Sequence, residues 1–171
     1  MTSSRREGLE RAPARREGVS VRPSWDEWAL AVAEVVATRA DCSRAQVGAV
    51  ILGRTHRVLA VGYNGAIAGI PGCASAGNCP RGRMSTDECA RDSDYSNCVA
   101  THAERNAIEH ADPYELAGAV IYVTRKPCPA CQTLIEASGI KTTIYREEFN
   151  QCSPQDAPWR SMLNQAVNSR A

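Results

Sequence analysis

A three-layer α/β/α sandwich around one mixed central sheet is the α/β fold class that this sequence predicts, and three observations predict it. Helical and strand periodicities alternate along the chain. The first two strands are separated by only a short turn, which makes them a hairpin. Each later strand is followed by helical spacing, the mark of strand–helix units. The 171 residues suit one domain with a real core, and 43% apolar content with 5% aromatic residues is ordinary globular composition.

Residues 1–22 are read as a disordered tail. Arg5, Arg6, Arg11, Arg15, Arg16 and Arg22 are interleaved with Glu7, Glu10 and Glu17, and Arg5–Gly8 recurs as Arg15–Gly18. Such a segment buries too little to offset its chain entropy. The ordered domain is expected over 23–171. Ser24 with Glu27 forms a capping box, and Trp25, Trp28, Ala29, Val32 and Val36 keep helical spacing to near Arg39, with both tryptophans assigned to the core. Val47–Leu52 and Val58–Val61 are short apolar runs around Gly53–His56, read as two half or fully buried strands.

Residues 65–98 are rich in Gly, Pro, Ser, Asn and Cys and lack a period. A stretch that long is either held by something or functional. His102–His110 reads as a short helix with Ala103, Ala107 and Ile108 on one face, and Val120–Thr124 as a β-branched strand. Pro129 opens the next helix, Leu134 and Ile135 face inward, and Gly139 closes it. Lys141–Tyr145 is the last strand, and a final helix is expected from Trp159 to about Val167.

The bulk properties narrow the function. The net charge is +1, which supplies no basic footprint for nucleic acid or a membrane surface. No apolar run is long enough to span a bilayer, and the basic N-terminal residues lack the apolar region of a secretory signal, so the expectation is a cytoplasmic protein. Its eight cysteines then read as metal ligands or reduced thiols rather than disulfides.

Two segments carry chemistry. His102-Ala103-Glu104 opens one helix, and Pro127-Cys128-Pro129-Ala130-Cys131 opens another after a strand. Two cysteines three residues apart at a helix start can aim both sulfurs at one point, where free backbone N–H groups favour thiolates. One imidazole and two thiolates leave the fourth position of a tetrahedral zinc ion open, as in a catalytic rather than a structural site. Water in that position has its pKa lowered towards about 7. Glu104, not needed as a ligand, is the candidate to carry a proton from this water to the ring and the leaving amine of a cytosine. Either half alone is weak, since an isolated C-x-x-C is often redox or structural. The two in order form the known signature of zinc-dependent nucleobase deaminases, matched rather than derived from spacing.

With these residues in place the chain resembles the deoxycytidylate (dCMP) deaminases of the cytidine-deaminase superfamily. The likeness runs from about Trp25 to Asn150 through Cys42-Ser43-Arg44, Val47–Val50, Gly62-Tyr63-Asn64-Gly65, His102–Ile108 and Tyr122-Val123-Thr124 leading into Pro127–Cys131. Gly62–Gly65 is its most diagnostic segment. The resemblance implies a cytidine-deaminase-like fold and hydrolysis of dCMP to dUMP and ammonia, feeding thymidylate synthesis. It gives Asn64 to the sugar, Arg44 to the phosphate, and Ala103 and Pro127 to the substrate pocket. It places Cys42, Cys73, Cys79 and Cys98 as ligands of a second, structural zinc that would clip the 65–98 segment, with Cys89 competing for the fourth place. It also implies a homo-oligomer, often a hexamer, and dCTP and dTTP as effectors, with Mg²⁺ accompanying the nucleotide. One departure stands out: many relatives carry Tyr-Arg after the last strand, where this chain has Phe149-Asn150, which leaves Arg146 to compensate and keeps dCTP or a 5-modified dCMP open as substrates.

Two further readings share the zinc motif. A tRNA or single-stranded-DNA base deaminase would need basic and aromatic surface that the composition does not supply. A zinc-stabilised interaction protein without catalysis would have no use for Glu104. His56 and His110 are expected at the surface or a helix end rather than as ligands.

Overall fold

A computed structural model describes residues 22–85, 87–88 and 98–146. Helix α1 (Trp25–Ala37) precedes strands β1 (Gly48–Leu52) and β2 (Val58–Tyr63), then helix α2 (Ala103–Glu109), strand β3 (Val120–Val123), helix α3 (Pro129–Ala137) and strand β4 (Thr142–Tyr145). The capping box forms as expected: the Ser24 hydroxyl accepts from the Glu27 N–H at 3.2 Å while the Ser24 N–H donates to the Glu27 carboxylate at 2.8 Å. The tail before Arg22, the helix expected at 159–167, Phe149-Asn150, Cys89 and Cys152 lie outside the described residues. No helix among the described residues is long and apolar enough to cross a membrane.

The four strands lie in the order β2-β1-β3-β4. β1 pairs antiparallel with both β2 and β3, and β3 pairs parallel with β4, so the sheet is mixed. Both faces of β1 are covered, and all five of its residues are buried. On one face Val50, Leu52 and Tyr122 pack against Ala29 and Ala33 of α1. On the other, Ala49, Ile51, Ile121 and Val123 pack with Ala103 and Ala107 of α2 and Ile135 of α3. The predicted three layers are therefore α1, the sheet, and α2 with α3.

The tryptophans correct the sequence reading. Trp25 is 47% exposed and Trp28 36%. The face that α1 buries carries Ala29, Ala33, Glu34 and Ala37, small enough for the helix backbone to rest on β1. Gly48 permits this contact, because a Cβ there would fall on the Ala33 carbonyl and the Ala37 N–H. With the helix this close, bulky rings are displaced to its flank. Trp25 lies flat on the His56 imidazole, with centroids 4.5 Å apart, and meets Trp28 edge to face at 5.8 Å. Tyr122 is buried on the same face, and its hydroxyl donates to Asp26 at 2.8 Å.

Candidate active site

The sheet ends where the chemistry begins. β3 leaves the sheet at Thr124, whose N–H donates to the Gly48 carbonyl at 3.0 Å and whose hydroxyl accepts from the Gly48 N–H at 3.1 Å. Four residues later Cys128 stands at the N-cap of α3, with Cys131 one turn inside. Pro127 is buried, and its carbonyl accepts from the Gln132 side chain at 2.9 Å, which fixes the approach to Cys128. From the neighbouring side, His102 occupies the N-cap of α2, and Glu104 follows in its first turn.

α2 is seated on β2 by another close approach. A Cβ on Gly62 would fall on the Ala103 carbonyl and the Ala107 N–H, so only glycine lets the strand meet this helix. The Asn106 side chain donates to the Tyr63 carbonyl at 2.7 Å. Gly65 and Thr101 exchange two backbone hydrogen bonds, at 3.1 and 2.8 Å. The Gly62–Gly65 segment is thus tied on both sides to the residues that carry His102.

His102 Nδ1 lies 3.3 Å from the Cys131 sulfur and 3.6 Å from the Cys128 sulfur. Among the described residues this trio forms a group of donor atoms all within 4.8 Å of one another. Around a tetrahedral zinc ion, with Zn–S of about 2.3 Å and Zn–N of about 2.0 Å, such donors stand roughly 3.5–3.8 Å apart. The residues therefore fit that ion. The electrostatics point the same way. Burial first, then the charges of Glu104 and Cys128, push the Cys131 thiol up; a divalent cation between the donors would offset that cost and favour both thiolates.

Glu104 is 4% exposed. Its burial holds the carboxyl above the usual carboxylate range, with the His102 charge and a hydrogen bond with Cys131 acting in the opposite direction. A buried carboxyl next to the donor trio is placed to accept a proton and to donate it again. A cavity of about 340 Å³ opens over it, lined also by His102, Ala103, Asn64, Arg44 and Lys126.

Residues 23–147 match the family described as the cytidine and deoxycytidylate deaminase zinc-binding region. The chain belongs to this family. A deoxycytidylate deaminase of Mycobacterium phage D29 is 49% identical over 131 residues, covering 74% of this chain and 98% of the phage protein. That of Schizosaccharomyces pombe is 36% identical over 133 residues, 77% of this chain but 40% of its own length. Among solved structures, dCMP deaminase from the cyanophage S-TIM5 in apo form superposes with a TM-score of 0.53 at 25% identity, over 76% of this chain and 88% of that one. Its complex with dCMP and dUMP gives the same score at 23% identity, a likeness of fold. The zinc-dependent deaminase assignment made from His102-Ala103-Glu104 and Pro127–Cys131 is thereby borne out.

The remaining candidates sort themselves around the family's site. Asn64 is 8% exposed in the cavity wall, but half of its amide is already engaged: its carbonyl accepts from the Val47 N–H at 2.8 Å and its NH₂ donates to the Ala45 carbonyl at 2.9 Å. One proton and one lone pair remain for a ligand. Arg44 lines the cavity and is steadied by donating to the Arg81 carbonyl at 2.9 Å. Arg146 is not among the residues lining this cavity, and its guanidinium pairs with Glu34 of α1 at 2.8 Å. His110 caps its helix end through Asn106, and His56 lies under Trp25, so neither joins the donor trio.

Of the spare cysteines, Cys73 has its thiol pushed up by burial first and then by the neighbouring Cys79, Cys42 and Cys98. All four border the cavity. Sequence reasoning passed over three cations on the same wall, Arg81, Arg125 and Lys126. Arg125-Lys126 directly before Pro127 was the available signal, and Arg81 lies inside the irregular 65–98 stretch where no period could single it out.

Proposed function

We propose that this chain hydrolyses the exocyclic amine of deoxycytidine 5′-monophosphate, giving dUMP and ammonia. One arrangement carries the reading: a zinc-fitting His102, Cys128, Cys131 trio with buried Glu104 beside it, under a cavity rimmed by cations. The 49% identity to a full-length phage deoxycytidylate deaminase supports the choice of substrate. His102, Cys128 and Cys131 would hold zinc, which would lower the pKa of a bound water towards about 7 and make a nucleophile available at neutral pH. Glu104 takes a proton from the attacking water, passes it to N3 of the ring as the oxygen adds at C4, and delivers the second proton to the amine, which leaves as ammonia. Asn64 offers its free amide proton and lone pair to the sugar, Arg44 offers its guanidinium to the phosphate, and Ala103 and Pro127 shape the base pocket.

The same reading includes a second zinc on Cys42, Cys73, Cys79 and Cys98, supported by the lining of one cavity, which all four share. It also takes from the family resemblance a hexameric assembly and control by dCTP and dTTP with Mg²⁺, in a protein expected in the cytoplasm. The test is ammonia release by the zinc-replete protein offered dCMP, dCTP, deoxycytidine and CMP in parallel. Preference for dCMP supports the reading, preference for dCTP moves the substrate to a triphosphate, and turnover of none of them overturns it.

A further inference from the structure

We propose that Arg125 and Lys126 join Arg44 in gripping the 5′-phosphate of the substrate; the inference rests on the dCMP reading above. Both side chains line the cavity that holds His102, Glu104 and Asn64. Their backbone is fixed at both ends, by the paired Thr124–Gly48 hydrogen bonds before them and by the Gln132–Pro127 bond after them. At about 3.8 Å per residue, their Cα atoms lie within roughly 11 and 8 Å of that of Cys128. A long cationic side chain from either position, already in the cavity lining, stands near enough to meet a ligand held there.

The second observation is what these cations lack. Arg105 pairs with Glu109, Arg146 with Glu34, Arg54 donates to the Ala117 carbonyl and Arg44 to the Arg81 carbonyl. No such bond to Arg125 or Lys126 is found among the described residues, and both are exposed. The third is local charge. Over the whole sequence 20 Lys and Arg nearly balance 19 Asp and Glu, yet among the described residues the lining of this cavity brings Arg44, Arg125 and Lys126 together with one carboxylate, Glu104. Cations converging on a concave, partly dry wall repel one another unless an anion joins them. A nucleoside monophosphate brings such an anion, with a charge of about −1.5 to −2 near pH 7. The guanidinium of Arg125 offers a forked pair of donors, and Lys126 a mobile point charge.

The test compares dCMP with deoxycytidine, which lacks the phosphate, on the zinc-loaded wild type and on Arg125→Gln, Lys126→Gln and the double variant. Each lost charge-assisted bond is worth about tenfold or more in affinity. The expected result is a KM for dCMP raised about tenfold in each single variant and further in the double variant. Turnover number, zinc content and kcat/KM for deoxycytidine should stay within about twofold, and inorganic phosphate should inhibit the variants less than the wild type. Arg125→Lys should recover part of the loss. An unchanged KM for dCMP, or equal losses on both substrates, overturns the proposal while leaving the deaminase reading intact. A wild type that leaves dCMP untouched overturns the reading and the proposal together.

Discussion

Replacing Gly62 by alanine adds a single methyl group, yet it should disable the protein. The Cβ of residue 62 would fall within non-bonded contact of two backbone atoms of α2, the Ala103 carbonyl and the Ala107 N–H. Neither can rotate away as a side chain tip does, so β2 and α2 must separate by about 1 Å to restore ordinary contact distances. Overpacking a tight core costs about 1–3 kcal/mol, and with backbone on both sides the upper figure applies. For a domain of this size that corresponds to a fall of roughly 10 °C in Tm. α2 carries His102 and Glu104, so the displacement reaches the chemistry, where a misplacement of about 1 Å can cost about a hundredfold in rate. Gly53→Ala is the control: its Cβ would meet only the Leu59 side chain, at 3.2 Å, and should change Tm by no more than about 2 °C. Calorimetry with ammonia-release kinetics on both variants checks this. A Gly62→Ala protein with wild-type Tm and kcat would refute the claim that this close approach positions the site.

Tyr122→Phe removes a buried hydroxyl that donates to Asp26, and should cost about 1 kcal/mol at neutral pH without altering kcat. Burial, then Asp26, raises the Tyr122 hydroxyl from 10.0 to about 12, so the native state holds this proton longer than the unfolded chain. The wild type should therefore lose stability relative to Tyr122→Phe as pH rises from about 10 to about 12, and a pH-independent difference between the two would contradict the assignment. Elemental analysis should find two zinc ions per chain, falling to one in Cys131→Ser and to one in Cys73→Ser; a single zinc in the wild type, lost only in Cys131→Ser, would remove the structural site.

Much of the fold was legible because its signals are local. The Ser24–Glu27 capping box and Pro129 with Gly139 around α3 sit where sequence reasoning put them, and the apolar Val47–Leu52 run forms a strand over Gly48–Leu52. The donor trio was legible because His102-Ala103-Glu104 and Pro127–Cys131 together match a known motif, each half of it local in sequence. What escaped depends on packing between distant segments. Helical spacing placed Trp25 and Trp28 in the core, but the Ala33–Gly48 contact that pushes them out joins residues far apart in sequence. The partner of Arg146 is Glu34, on the first helix, and no local pattern links them. Asn106 looked like an ordinary residue of the His102–Ile108 segment; only the folded chain shows it holding the Tyr63 carbonyl.

The most direct test of the account is ammonia release from dCMP by the zinc-loaded wild type and by Glu104→Gln, with zinc content measured on both. The account predicts that Glu104→Gln keeps its zinc and its fold and loses at least about a hundredfold in kcat, because the proton carrier is gone while the metal trio is intact. A Glu104→Gln protein that deaminates dCMP at the wild-type rate would contradict it.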